Sequence, residues 1–77
     1  MFYDSKTILQ EEIQKNKDAK LRYELIGETG PEHDKQFHVE AYLNDVLIGA
    51  GVGRTKKAAE QQAAYESLLK IKANKKK

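Results

Sequence analysis

The sequence has no cysteine. Disulfide staples and thiolate metal sites are therefore excluded, and packing and hydrogen bonding alone must hold the fold. Proline occurs once, at Pro31. The longest apolar run, Val46-Leu47-Ile48-Gly49-Ala50, is far short of the roughly 20 residues that cross a membrane. No charged-then-apolar block opens the chain, so no signal peptide is expected. With 77 residues there is room for one small domain, and a domain of this size buries only roughly 60% of the surface its unfolded chain exposes. The expectation is a single-domain, cytoplasmic protein with no membrane partner. Its core should cover about residues 4–72, with a basic tail at 73–77.

The net charge of +2 hides an asymmetry. Residues 1–53 carry six basic and ten acidic side chains, whereas residues 54–77 carry eight basic and two acidic ones. A lopsided chain points to a local electrostatic footprint. Arg54, Lys56 and Lys57 form a tight cluster. Lys70, Lys72, Lys75, Lys76 and Lys77 read as a solvated end.

Asp4 or Ser5 can cap a first helix that should run to about Lys15. Asn16 to Lys20 is polar and breaks the pattern. Leu21 to Leu25 alternates with period two and reads as a strand, and Gly27 to Lys35, with two glycines and the proline, reads as a loop. Phe37, Val39, Ala41 and Leu43 alternate with polar neighbours in a second strand, and Val46 to Val52 forms a third. Asn44-Asp45 suits a two-residue hairpin turn. A uniform register from that turn pairs Leu43 with Val46, Ala41 with Ile48, Val39 with Ala50 and Phe37 with Val52, an entirely apolar face. The other face, with Tyr42–Leu47, Glu40–Gly49, His38–Gly51 and Gln36–Gly53, should meet solvent. Thr55 caps a second helix to about Lys72, alanine-rich at its start. The fold class is therefore α+β: order αβββα, a three-stranded antiparallel sheet with two helices on one face.

Three features suggest binding chemistry. Lys56 and Lys57 fall in the first turn of the second helix, where the helix dipole is already positive. That placement suits an arriving anion, with backbone N–H groups, the dipole and two ammonium groups converging on phosphate. A Walker loop is excluded because Gly53 is followed by Arg54-Thr55, and a dinucleotide fingerprint because an antiparallel hairpin precedes the glycines. On the first helix, Thr7, Gln10, Glu11 and Gln14 fall at i, i+3, i+4 and i+7 and form one stripe. Its hydroxyl and amide groups both donate and accept, which suits sugar hydroxyls and base edges. The third feature is the Gly30-Pro31-Glu32-His33 loop. His33 and His38 sit among carboxylates without metal-ligand spacing, so no metal is expected. No serine or cysteine nucleophile accompanies a histidine, and no small-molecule substrate or catalysis by this chain is expected.

Taken together, Lys6-Thr7-Ile8-Leu9-Gln10-Glu11, Gly30-Pro31-Glu32-His33, Phe37-His38-Val39, Gly49 through Lys57, Ala58-Ala59-Glu60 and Ala63-Ala64 resemble the double-stranded-RNA-binding domain. The Lys-Thr-x-Leu-Gln-Glu start and the Gly-Arg-Thr-Lys-Lys-x-Ala-Glu segment look most like the C-terminal domain of bacterial ribonuclease III. The resemblance covers roughly residues 4–72. It implies a domain that binds A-form duplex by shape, spanning about 16 base pairs. Thr7, Gln10, Glu11 and Gln14 would touch one minor groove. His33, with the backbone of Pro31 and Glu32, would enter the next. Arg54, Lys56 and Lys57 would bridge phosphates across the major groove between them. Many family members carry a third lysine where this chain has Glu60, which argues against Glu60 as a contact.

The same resemblance implies no cofactor in this chain, since magnesium belongs to a nuclease domain that the sequence does not contain. It also implies a monomeric domain and a homodimeric parent that is a metal-dependent endoribonuclease. One alternative is a protein-interaction module on the same fold, with Tyr42, Leu47, Tyr65 or Leu69 as a docking surface. A single-stranded-RNA binder would need aromatic platforms on the open sheet face, and there the sequence offers little beyond Tyr42.

Overall fold

The period-two segments form a three-stranded antiparallel meander in the order β1-β2-β3. The computed structural model describes residues 4–75; Met1, Phe2, Tyr3, Lys76 and Lys77 lie outside the described residues. Helix α1 (Ser5–Ile13) precedes strands β1 (Leu21–Thr29), β2 (Gln36–Leu43) and β3 (Val46–Gly53), and helix α2 (Lys56–Lys75) follows. A short 3-10 turn, Glu32–Asp34, stands between β1 and β2. This is the expected αβββα order, with boundary shifts. Helix α1 ends two residues before Lys15; past it the Asn16 N–H donates to the Ile13 carbonyl at 3.0 Å, and the Asn16 side chain accepts the Asp18 N–H at 3.1 Å in a further turn. Helix α2 continues three residues past Lys72.

The first strand runs to Thr29 rather than Leu25, so the loop begins at Gly30 and not at Gly27. Pairing with β2 carries it onward: Leu25 faces Val39, Gly27 faces His38, and Ile26 is left as the extra residue of a bulge. At the β2–β3 turn, Asn44 and Asp45 both adopt positive φ, 51° and 66°, as a tight hairpin with right-handed strand twist requires. The Asn44 side chain also accepts the Lys20 N–H at 2.8 Å, tying the turn to the start of β1.

The hairpin register departs from the uniform pairing. Leu43 faces Val46 and Tyr42 faces Leu47 as expected, but Ile48 is then bulged out. Beyond it Ala41 faces Gly49, Val39 faces Gly51 and Phe37 faces Gly53, while Ala50 and Val52 turn to the outer face opposite Glu40 and His38. The reason lies on α2. Ala59, Ala63 and Ser67, four residues apart, are fully buried on one stripe of that helix. They lie on the three glycines: a Cβ at Gly49 would come within 2.6 Å of the Ala63 carbonyl oxygen, and one at Gly53 within 2.7 Å of the Ala59 nitrogen. At Gly51 it would collide with the Ala59 carbonyl and the Ala63 nitrogen. Ala50 and Val52 in those places would hold the helix off the sheet. The buried Ser67 hydroxyl donates to the Ala63 carbonyl at 2.8 Å, so no orphan polar group enters the contact.

The rest of the core lies under α1. Leu9 and Ile13 pack with Ala64 and Leu68 of α2, flanked by Ala19, Leu21, Tyr23, Leu43 and Ile71. Both helices thus cover one face of the sheet. On the outer face the Arg22 guanidinium lies 4.3 Å from the centroid of the Tyr42 ring and 3.0 Å from Glu24. The Tyr42 hydroxyl donates to Glu40 at 2.5 Å, which raises its pKa. Tyr42 is therefore half-buried and engaged, whereas Leu47, Tyr65 and Leu69 are exposed. At the free edge of β3, the Gln62 side-chain oxygen accepts the Val52 N–H at 2.8 Å.

Candidate nucleic-acid interface

The N-terminus of α2 brings together a side-chain cap and two lysines. Thr55 caps it: its hydroxyl accepts the Ala58 N–H at 3.0 Å and its carbonyl accepts the Ala59 N–H at 3.0 Å. No acidic residue occupies the first turn. Lys56 and Lys57 are exposed there, and neither has an ion-pair partner among the described residues. Their ammonium groups add to the positive helix end and remain available to an anion. Arg54, with 82% of its side chain exposed, stands beside them and reaches Asp34 at 3.7 Å.

Asp34 belongs to the 3-10 turn of the β1–β2 loop. Gly30 starts this loop at a φ of 92°, where a Cβ would meet the Asp34 carbonyl oxygen, so the reversal favours glycine. The Asp34 N–H then donates to the Pro31 carbonyl at 2.9 Å, closing the turn. Pro31, Glu32 and His33 are all exposed on it.

Along α1, Thr7, Gln10 and Glu11 are exposed, and Gln14, also exposed, is the C-cap residue just past the helix. The Thr7 hydroxyl donates to the Asp4 carboxylate at 2.6 Å, which leaves its oxygen free to accept from a ligand hydroxyl. That bond, with the Gln61 amide at 3.4 Å, lowers the pKa of Asp4.

The three features are joined at the start of α2. Arg54 links it to the loop. On the other side the Lys6 ammonium meets Glu60 at 2.6 Å, and the Lys6 backbone N–H donates to the Gln61 side chain at 3.1 Å. Lys6 also stands 5.2 Å from the centroid of the Tyr23 ring. Burial, and then the nearby Glu60 carboxylate, push the Tyr23 phenol up to about 12. Lys6, Gln61 and Asp34 were not legible as parts of the site. Each acts through a tertiary contact, and the Lys6–Glu60 pair bridges 54 positions of sequence. Among the described residues no group of three or more histidine or acidic side chains is placed to hold a metal ion.

Residues 5–71 match the family model described as double-stranded RNA binding motif. Among curated relatives, the ribonuclease 3 of Latilactobacillus sakei is 49% identical over 70 residues, covering 91% of this chain and 30% of that protein. The ribonuclease 3 of Enterococcus faecalis is 50% identical over 68 residues, 88% of this chain and 30% of its own length. The chain thus spans about 30% of the length of these relatives. Among solved structures, the solution structure of both dsRBDs of DRB4 along with their linker aligns with a TM-score of 0.68 and 29% identity, over 92% of this chain and 46% of that one. The solution structure of DRB4 dsRBD2 aligns with a TM-score of 0.61 and 30% identity, over 87% of this chain and 93% of that one. With a shared element order, and a family model that spans nearly every described residue, the chain belongs to the double-stranded RNA binding motif family.

Proposed function

We propose that the domain grips A-form duplex RNA at three points. Thr7, Gln10, Glu11 and Gln14 of α1 read 2′-hydroxyls in one minor groove. His33, with the backbone of Pro31 and Glu32, enters the next minor groove. Arg54, Lys56 and Lys57 neutralise phosphates across the major groove between them. The observation that carries this reading is the capped start of α2, with two exposed lysines and no competing carboxylate in its first turn. Glu60, one turn on, is spent on Lys6.

The domain supplies affinity and orientation rather than chemistry. We place it as the RNA-binding part of a cytoplasmic ribonuclease of the ribonuclease III type, a magnesium-dependent endonuclease of duplex RNA. Magnesium and dimerisation would belong to the nuclease domain, so this domain would be monomeric and hold no cofactor. Support comes from relatives named ribonuclease 3, matched over 30% of their length.

The test is a titration at fixed salt against three ligands of one sequence: a duplex RNA of about 20 base pairs, long enough for the site, the duplex DNA, and one RNA strand. A strong preference for duplex RNA is expected. Three phosphate contacts give a slope of log K against log salt of about −2 to −3. Equal binding to all three ligands would reduce the lysine cluster to unspecific charge. No binding would favour the protein-interaction module.

A further inference from the structure

The Lys6–Glu60 ion pair joins the two elements that must engage different parts of a duplex. Lys6 directly precedes Thr7 of the α1 stripe, and Glu60 follows Lys56 by one helical turn. The pair is close, 2.6 Å, and partly sheltered, with 35% and 16% of the two side chains exposed. A relay surrounds it: the Lys6 N–H bonds to Gln61, and Gln61 bonds to Asp4, which also holds Thr7.

Apolar packing does not do the same job. The buried apolar residues of α1 are Leu9 and Ile13, toward its C-terminal half. They attach the helix to Ala64 and Leu68, whereas the buried residue of its first turn is the polar Ser5, so polar contacts, the Lys6–Glu60 pair among them, aim that end. Without the pair α1 would stay docked at Leu9 and Ile13, while its first turn, with Thr7, would lose its tie to α2. The pair has a second effect. At i+4 from Lys56 and i+3 from Lys57, Glu60 is spaced to pair with either lysine on the helix surface. Bound to Lys6, it does not compete with phosphate.

We propose that Lys6 and Glu60 are positioning residues for duplex discrimination: their pair fixes the separation between the α1 stripe and the α2 end at the value an A-form duplex fits. This rests on the duplex-RNA reading above. Groove widths differ between the two duplex forms, a wide shallow minor groove in A-form RNA and a narrow one in B-form DNA. A rigid separation rejects one of them, whereas a loose one tolerates both.

The experiment measures affinity for a duplex RNA of about 20 base pairs and for the same sequence as duplex DNA, at one salt concentration, with a thermal melt of each protein. The proteins are wild type, Glu60→Gln, Lys6→Met and the exchange K6E/E60K. The two single variants change net charge in opposite directions, so simple electrostatics would shift their affinities oppositely. The positioning role predicts the same change in both, a fall of roughly five- to tenfold in the RNA-over-DNA preference, the scale of pairwise couplings. The exchange, which rebuilds the pair, should recover most of it. Lys6→Met keeps an unbranched chain of similar reach and Glu60→Gln keeps its shape, so both should melt cooperatively. An unchanged preference in both single variants would overturn the proposal. So would affinities that merely follow charge, an exchange that recovers nothing, or loss of the fold in both. A wild-type protein with no preference for RNA would instead overturn the duplex-RNA reading itself.

Discussion

Gly51→Ala probes the bulged register. In the structure a methyl group at this position points into α2, colliding with the Ala59 carbonyl and the Ala63 nitrogen and standing 2.9 Å from the Gln62 Cβ. Two of these neighbours are helix backbone, so no side chain can rotate away to make room. Restoring even the Gln62 contact to an ordinary 3.4 Å lifts α2 by half an ångström and loosens Ala59, Ala63 and Ser67 together. Overpacking of this kind costs about 1–3 kcal/mol, and a clash with backbone places Gly51→Ala at about 3 kcal/mol. A domain of this size has a total stability of roughly 4–12 kcal/mol, so a large share is lost. At about 4–8 °C per kcal/mol, the melting temperature should fall by roughly 12–24 °C. Thermal unfolding followed by circular dichroism measures it. Gly27→Ala is the control, because a Cβ there meets nothing within 4 Å; it should melt near wild type, or slightly higher as the unfolded chain loses freedom. If Gly51→Ala also melted within about 3 °C of wild type, the glycine would face solvent, as in the uniform hairpin pairing, and the packing argument would be wrong.

Replacing Lys56 and Lys57 together with alanine should weaken binding to every duplex alike, since phosphates carry no sequence; the salt slope should become shallower by about 1.8, read from titrations at several salt concentrations. Gln10→Ala should lower RNA affinity and leave the melting temperature nearly unchanged, because the side chain is exposed; a large thermal destabilisation would make Gln10 structural. Tyr23 predicts a pH effect. Its phenol is pushed from 10.0 up to about 12 in the fold, so its contribution is complete below pH 10 and is lost as pH rises through that window, where the unfolded chain ionises first. Urea midpoints on either side of about pH 11 should fall less steeply for Tyr23→Phe than for wild type. At neutral pH the same variant should be at least as stable as wild type, because the buried Tyr23 hydroxyl has no hydrogen-bond partner among the described residues.

The element order was legible because each signal is local. The alternation through Phe37 to Leu43, the Asn44-Asp45 turn and the Thr55 cap each lie within a few residues of what they determine. The exposed stripe of α1 and the lysines of α2 were legible for the same reason. The bulge at Ile48 was not, since β3 is apolar in either register, and the one at Ile26 lies just past Leu25, where the alternation of the first strand stops. The choice between registers is made by the small residues of α2, at Ala59, Ala63 and Ser67, which admit glycine and reject valine beneath them. The two ties at the start of α2 were equally hidden. Glu60 read only as an unhelpful charge beside two lysines, and its partner lies 54 residues away. Asp34 lies within the segment that reads as a loop, and only the fold brings Arg54 to it.

The Gln62 side chain on the rim of β3 bears on how copies share one RNA. A long duplex gathers many domains side by side and raises their local concentration steeply. Under that crowding, an open strand rim with unpaired N–H groups is a template for sheet-to-sheet fusion between neighbours. Gln62 fills one of those vacancies from within the same chain, at Val52. Neighbours crowded on a duplex then meet a rim whose Val52 N–H is already bonded, which disfavours strand pairing between copies at that point.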